Sequence, residues 1–359
     1  MYVLLSALRK ALVRLVEGHS ISAEEAGEAL GEIVSGVASQ ALVAAFLTAM
    51  RVKGEDEEEL YGMARLMRGH CIRVELQDPR SALDIVGTGG DKVKTLNIST
   101  ISSLVVSSTG VRVAKHGNRA ATGVCGSADL LEGLGVNIFM GPEDVRRCIE
   151  GCGFGFMFAP LYHPTMKHVA PIRRELGFRT FFNLLGPLTN PANVGRILLG
   201  VADNRYLLKI ARVLSRLGLE RGLVVCSADG VDEVSIRGET EAVWIEGGEV
   251  WREVLRPNDF GVEAADLESV VVRTREEAVE GAVKIMKGAL SPDDPRMKMV
   301  LVNSAAALKL AGVCSSLAEG VKIARDSIMD GEVFQTLCRV VETSGGDGGR
   351  LEEYVRRLA

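Results

Sequence analysis

The chain has 359 residues, 47% of them hydrophobic, and a formal net charge of −5. That length supports a sizeable core in two domains, and the negative balance gives no basic field for a polyanion, which argues against nucleic acid as a partner. No basic-then-apolar leader with a small-residue cleavage site and no apolar run of membrane-spanning length occur, so the expected location is the cytoplasm, without a membrane partner.

Residues 1–72 read as a small all-helical N-terminal domain. Leu4, Leu5, Leu8, Leu12, Leu15 and Val16 keep helical spacing, and Ser22 with Glu25 forms a capping box that opens a second helix. A third helix, near residues 40–52, is almost all apolar and must be covered on most sides, by neighbouring helices or by another subunit. The acidic run from Glu55 to Glu59 suits the N-terminus of a fourth.

After Pro79, short apolar runs at residues 82–86, 111–114, 136–139, 154–158, 197–201 and 223–226 alternate with helices. This rhythm predicts a larger α/β domain over residues 73–359, with a central, mostly parallel sheet flanked by helices. Gly247 and Gly248 between alternating residues predict a hairpin over 244–251. From Thr274 onward the chain is mostly helical, with Thr274/Glu277 and Ser316/Glu319 as further capping boxes. The seven cysteines are odd in number and scattered, which argues against a disulfide framework. Cys148 and Cys152, though spaced i, i+4, have no accompanying Cys or His pair and read as buried small residues.

Polar clusters interrupt the apolar rhythm at three places. In the first, the run ending at Val86 breaks into Gly87-Thr88-Gly89-Gly90-Asp91, followed by Asn97-Ile98-Ser99-Thr100 at the start of a helix. A glycine-rich strand-to-helix turn lets backbone N–H groups approach an anion, and a helix N-terminus adds donors, so a phosphate cradle is expected. The spacing fits neither a P-loop nor a dinucleotide-binding fingerprint. The run at 111–114 then delivers Lys115-His116-Gly117-Asn118-Arg119 at a strand end, where open α/β sheets place their ligands. The second cluster runs from His163 through Arg173, Arg174, Arg179 and Asn183 to Pro191; Arg174 and Arg179 read equally well as solvated charges or as site residues. The third, Asp229-Gly230-Val231-Asp232-Glu233, reads as a solvated acidic turn or, beside a phosphate, as a Mg²⁺ site.

Together with Gly126-Ser127-Ala128-Asp129 and the segment from Pro257 to Gly261, these clusters closely resemble the anthranilate phosphoribosyltransferase family, over most of the chain. The resemblance implies a helical domain, joined in space by part of residues 163–190, above a larger α/β domain, with the active site between them. It also implies transfer of the phosphoribosyl group of 5-phosphoribosyl-1-diphosphate (PRPP) to the amine of anthranilate in tryptophan biosynthesis, with Mg²⁺ as cofactor and a homodimer built through the helical domain. Domain closure over the substrates is expected.

On this resemblance, PRPP would be held by Gly87, Gly90, Asp91, Thr95, Asn97, Ile98, Ser99, Thr100 and Ser127, together with the backbone from Lys115 through His116, Gly117, Asn118, Arg119, Ala120, Ala121 and Thr122 to Gly123. Anthranilate would meet Gly87, Asn118 and Arg173, with His116, His163, Gly186 and Pro187 lining its route. Ser99, Asp232 and Glu233 would hold Mg²⁺, and Lys115, Asp232 and Glu233 would act electrostatically, with no residue as acid or base. One departure is visible: where the family has a serine-rich loop, this chain has Thr122-Gly123-Val124-Cys125-Gly126-Ser127, and a thiol donates poorly to phosphate. The alternatives are a pyrimidine nucleoside phosphorylase-like activity and a nucleic-acid-binding relative of the family.

Overall fold

The computed structural model describes residues 6–90, 95–120 and 123–358. Four helices, α1 (Ala7–Val16), α2 (Ala23–Val34), α3 (Gln40–Lys53) and α4 (Glu57–His70), open the chain. Ser22 and Glu25 cap α2 reciprocally, and Asp56 with Glu59 does the same for α4. The apolar stripe of α1 is narrower than its sequence suggests: Leu8 and Leu15 are buried, whereas Val16 is exposed. Leu4 and Leu5 lie outside the described residues. Along α3, Val43, Phe46, Leu47 and Met50 are buried, but Ala41, Ala45 and Val52 face outward.

A seven-stranded sheet follows: β1 (Leu83–Gly87), β2 (Val113–Gly117), β3 (Phe154–Phe158), β4 (Arg196–Gly200), β5 (Arg221–Ser227), β6 (Thr240–Glu246) and β7 (Glu249–Leu255). Its order is β3-β2-β1-β4-β5-β6-β7. The first five strands are parallel, and β6 and β7 form the expected hairpin as antiparallel strands at one edge. The helices α5 (Ile98–Ser108), α6 (Ser127–Gly133), α7 (Pro142–Cys152), α8 (Ala159–Tyr162), α9 (Ala170–Leu176), α10 (Phe182–Leu188) and α11 (Leu207–Arg216) connect the strands. Four longer helices, α12 (Arg275–Met286), α13 (Pro295–Ala311), α14 (Leu317–Met329) and α15 (Glu332–Thr343), and a terminal α16 (Gly348–Leu358), complete the chain. Among the described residues, no helix is long and apolar enough to cross a membrane.

From β1 to β6 both faces of the sheet are largely buried, whereas β7 is mostly exposed, and alternation along the buried strands divides their side chains between two cores. Leu198, Leu223 and Val225 point into a core shared with α5, α7 and α12–α15. Ile197, Leu199 and Val224 point into a second core that continues through α11 into α1–α4 and also takes in Val169, Ile172, Phe181 and Leu185. The segment from His163 to Pro191, although inserted between β3 and β4, therefore packs with the N-terminal helices; Phe46 meets Phe181 edge-on with ring centroids 6.0 Å apart.

One expected strand is absent. Val136 and Ile138 are buried while Phe139 is exposed, so the alternation is real. The backbone has other partners, however. Asn137 N–H donates to Ser344 Oγ at 3.2 Å and Phe139 N–H to Asn137 Oδ1 at 3.0 Å, which leaves β3 as the sheet edge.

Packing of α2 on α4 depends on a missing side chain, because a Cβ at Gly62 would lie 1.9 Å from the Ala23 carbonyl oxygen. We predict that Gly62→Ala destabilises the protein by about 1–3 kcal/mol, the usual cost of overpacking. A thermal midpoint equal to that of the wild type would refute the prediction.

Candidate active site between the glycine turn and the helical domain

The chain order reverses between β1 and β4, the position at which doubly wound sheets leave a crevice beyond their carboxyl ends. β1 ends at Gly87, and Gly89 and Gly90 turn away at φ +65° and +81°, a left-handed pair that side chains disfavour. A Cβ on Gly87 would sit 2.2 Å from Asp232 Oδ2, and one on Gly90 would sit 2.0 Å from Arg179 Nη1. Asp232 Oδ2 accepts the Gly89 N–H at 2.7 Å. The acidic turn after β5 is thereby held against the glycine turn after β1.

Asn97 occupies the N-cap position of α5 without capping it. Its side-chain amide instead donates to the Cys125 carbonyl at 2.8 Å, while its buried Oδ1 has no partner among the described residues. Ser99 N–H, in the first turn, donates to Glu233 Oε1 at 3.3 Å. Glu233 is thus presented to the start of α5 and Asp232 to the glycine turn.

Beneath them lies a buried ionic network. Lys115, only 1% exposed, belongs to β2, which runs further than the apolar run suggests. Its ammonium donates to the Ile85 carbonyl and, at 3.4 Å, to Ser99 Oγ. Burial pushes its pKa down to about 8 against the pull of Asp84, Glu233 and Asp232. Asp84 accepts Asn190 Nδ2 at 2.7 Å and the His116 N–H at 3.4 Å, and burial pushes its pKa up to about 6 despite Lys115. The rings of His116 and His163 lie 5.0 Å apart, and burial lowers their pKa values to about 3 and about 4. Neither imidazole carries charge at pH 7.

Residues 118–120 and 123–127 line one side. Asp129 Oδ2 accepts the N–H groups of Ala120 and Gly126, both at 2.9 Å, and draws the two stretches together. Arg119 is committed to Asp129 and Glu132, each at 2.9 Å. The resulting cleft, of about 360 Å³, is faced on its other side by Arg179 and Asn183.

Two family models match the chain: a "Glycosyl transferase family, helical bundle domain" over residues 9–71 and a "Glycosyl transferase family, a/b domain" over residues 79–334. The anthranilate phosphoribosyltransferase of Methanopyrus kandleri is 45% identical over 337 residues, covering 93% of this chain and 99% of the relative. The crystal structure of anthranilate phosphoribosyltransferase from Thermus thermophilus superposes with a TM-score of 0.87 at 41% identity, covering 95% of this chain and 100% of that one. The chain belongs to the anthranilate phosphoribosyltransferase family. The Saccharomyces cerevisiae enzyme in complex with PRPP and Mg is similar at 29% identity and a TM-score of 0.86, covering 94% of this chain and 98% of that one.

Of the residues expected for an anthranilate phosphoribosyltransferase site, Gly87, Gly90, Thr95, Asn97, Ser99, Lys115, His116, Gly117, Asn118, Arg119, Ala120, Gly123, Ser127, Asp232 and Glu233 line the cleft. Ile98 and Thr100 are buried in the first turn of α5 behind it. His163 and Pro187 are buried, and neither they nor Gly186 and Arg173 line the cleft wall. Arg173 reaches it indirectly: Nη2 donates to Asn183 Oδ1 at 3.1 Å, and the guanidinium lies 5.4 Å over the Phe182 ring. Asp91, Ala121 and Thr122 lie outside the described residues. Cys125 lines the cleft with its thiol pKa pushed up to about 12 by burial, so it is neutral there.

Thr88 and Gly89, within the glycine turn expected as a phosphate cradle, also line the cleft, as do Arg179, which reads equally well from sequence as a solvated charge or a site residue, and Asn183. The glycine turn itself signals the first two. For Arg179 the only signal is its place in the polar run after His163, which Arg174 shares, although Arg174 is exposed.

The buried histidines make stability depend on pH with a definite sign. Because their folded pKa values lie below the ordinary 6.5, the unfolded chain takes up protons first as pH falls, and stability is lost below about 6.5. Asp84 acts oppositely: its raised pKa contributes stability below its unfolded value and loses it as pH rises through about 6. We predict a thermal midpoint that falls from pH 6.5 to pH 4.5, and a steeper fall in Asp84→Asn. An identical slope in that variant would remove Asp84 from the balance.

Proposed function

We propose that the chain transfers the phosphoribosyl group of PRPP to the amine of anthranilate, giving N-(5-phosphoribosyl)anthranilate and diphosphate, with Mg²⁺ required, as a step of tryptophan biosynthesis. The observation that carries this reading is the meeting of the Asp232–Glu233 turn with the glycine turn and the start of α5, in a chain of this family. In the reaction, the amine nitrogen bonds to the ribose anomeric carbon as the carbon–oxygen bond to diphosphate breaks; the electron pair of that broken bond leaves with the diphosphate, and the amine then gives up one proton to the departing diphosphate or to water. The carbon carries cationic character in between, as in glycoside chemistry.

The two carboxylates suit Mg²⁺. Among the described residues, no group of three or more His, Cys, Asp or Glu could form an all-protein cage, and Mg²⁺ commonly takes one or two carboxylates, waters and substrate phosphates. Asp232 and Glu233 would hold it, with Ser99 alongside, and when bound it would act as a Lewis acid on the leaving diphosphate. The glycine turn, Asn97, Ser99, Ser127 and the backbone from Lys115 to Gly123 would hold PRPP, with Lys115 offsetting phosphate charge. Arg119 would act by fixing the loop backbone, since its guanidinium is already paired. Anthranilate would meet Asn118 and Arg173, with the neutral rings of His116 and His163 near its route. An aryl amine is uncharged at pH 7 and needs no strong base, so rate would come from orientation, exclusion of water and electrostatics.

Loss of anthranilate fluorescence on mixing with PRPP and Mg²⁺, with EDTA and PRPP-free controls, tests the reading. No decay in folded protein with intact PRPP would overturn it. Asp232→Asn combined with Glu233→Gln is expected to lower Mg²⁺-dependent turnover by roughly 10²–10³-fold or more; full activity would move the metal elsewhere.

We also propose that the chain is a homodimer through its N-terminal helices. Val13 and Val16 of α1, Val37, and Val52 of α3 are 52–82% exposed, and α1 packs beside α3. Light scattering on the eluted peak should give twice the chain mass, and Val16→Glu with Val52→Glu should halve it. A monomeric wild type would refute the assignment.

A further inference from the structure

We infer that Arg179 binds an oxyanion of the substrates, either the carboxylate of anthranilate or a diphosphate oxygen of PRPP, from the helical side of the cleft. The inference rests on the function proposed above and adds a residue to it. Three observations carry it.

The first is position. Arg179 lines the cleft, and its guanidinium lies directly over the glycine turn: a Cβ on Gly90 would be 2.0 Å from Nη1 and 2.3 Å from Cζ. Nη2 donates to the Thr88 carbonyl at 3.1 Å, which ties a residue of the helical side to the turn that ends β1.

The second is unspent capacity. A guanidinium carries five N–H donors in a planar fork matched to two oxygens of a carboxylate or phosphate. Among the described residues, Arg179 donates only to Thr88, and no carboxylate lies within ion-pair distance of it. The neighbouring arginines differ. Arg119 is held by Asp129 and Glu132, and Arg173 donates to Asn183 and packs on Phe182.

The third is that the acids behind Arg179 are already engaged. A small cavity of about 50 Å³ separates it from Glu55 and Asp203. Glu55 Oε2 accepts the Tyr206 hydroxyl at 2.6 Å, and Asp203 pairs with Arg205 at 2.7 Å. The loop that carries Arg179 is also fixed, since Gly177 ends α9 in the left-handed region at φ +66° and Thr180 N–H donates to Asn183 Oδ1 at 3.2 Å. A cation held over a phosphate-type turn, with donors to spare and the acids behind it already paired, is a receptor for an anion from outside the chain.

The test compares wild type, Arg179→Gln and Arg179→Lys by KM and kcat for both substrates, by calorimetric titration with PRPP and Mg²⁺ without anthranilate, and by thermal midpoint. Arg179→Gln should raise the KM of one substrate roughly tenfold or more, with kcat and the midpoint little changed, and Arg179→Lys should recover part of the loss. A raised KM for anthranilate with PRPP titration unmoved assigns the carboxylate; weakened PRPP titration assigns the diphosphate. Values for both substrates within twofold of an active wild type overturn the inference. A wild type that consumes no anthranilate overturns the proposed reaction instead, and PRPP titration of Arg179→Gln then decides this inference alone.

Discussion

The site depends on a notch cut by two glycines at the carboxyl ends of neighbouring parallel strands. Gly87 of β1 and Gly200 of β4 are register partners. The Asp232 carboxylate occupies the space of the missing Gly87 side chain, and the Asp232 backbone carbonyl that of Gly200, where a Cβ would lie 1.5 Å from the oxygen. The turn after β5 can therefore cross the sheet edge and rest on it. From that seat Asp232 meets the Gly89 N–H and Glu233 meets the Ser99 N–H. The glycine turn and the start of α5 lie more than a hundred residues of sequence away from the acidic turn, and this one close approach makes them a single site.

Charge is then arranged around the notch at different depths. Lys115 and Asp84 are buried under the strand ends, where an isolated ion would be costly. They persist because each has partners: Asp84 has Asn190 and the His116 backbone, and Lys115 has the Ile85 carbonyl, Ser99 and the field of the three carboxylates. The same burial keeps His116 and His163 neutral. Two uncharged rings next to a cationic floor suit a flat aromatic acceptor arriving beside a phosphorylated sugar, and they supply no strong base that the chemistry would have to avoid.

Much of this was legible in the sequence because each feature requires an unusual residue. Gly89 and Gly90 announce their positive φ, and Ser22 with Glu25 writes its own capping box. Other features had the right letters and a different use. Glu277 and Glu319 stand where a capping box places them, yet each carboxylate accepts an N–H one residue earlier, from Arg273 at 2.7 Å and from Ser315 at 2.8 Å. Val136 to Phe139 alternate like a strand, but Asn137 bonds to Ser344 at the end of α15 and Phe139 N–H to the Asn137 side chain instead of to a neighbouring strand. Nothing local distinguishes Arg174 from Arg179. The first is solvated and the second faces the cleft because Gly177 turns the chain between them.

The two walls of the cleft belong to two different hydrophobic cores, and this has a chemical consequence. Gly87, Ser99 and Lys115 sit on elements whose apolar sides fill the core shared with α5 and α12–α15. Arg173, Arg179 and Asn183 sit on a segment whose Val169, Ile172, Phe181 and Leu185 fill the core of the N-terminal helices. Side chains rooted in one close-packed core respond to that core's shape first. The bond from Arg179 to the Thr88 carbonyl crosses that divide, so the width of the cleft is fixed where a substrate anion would lie.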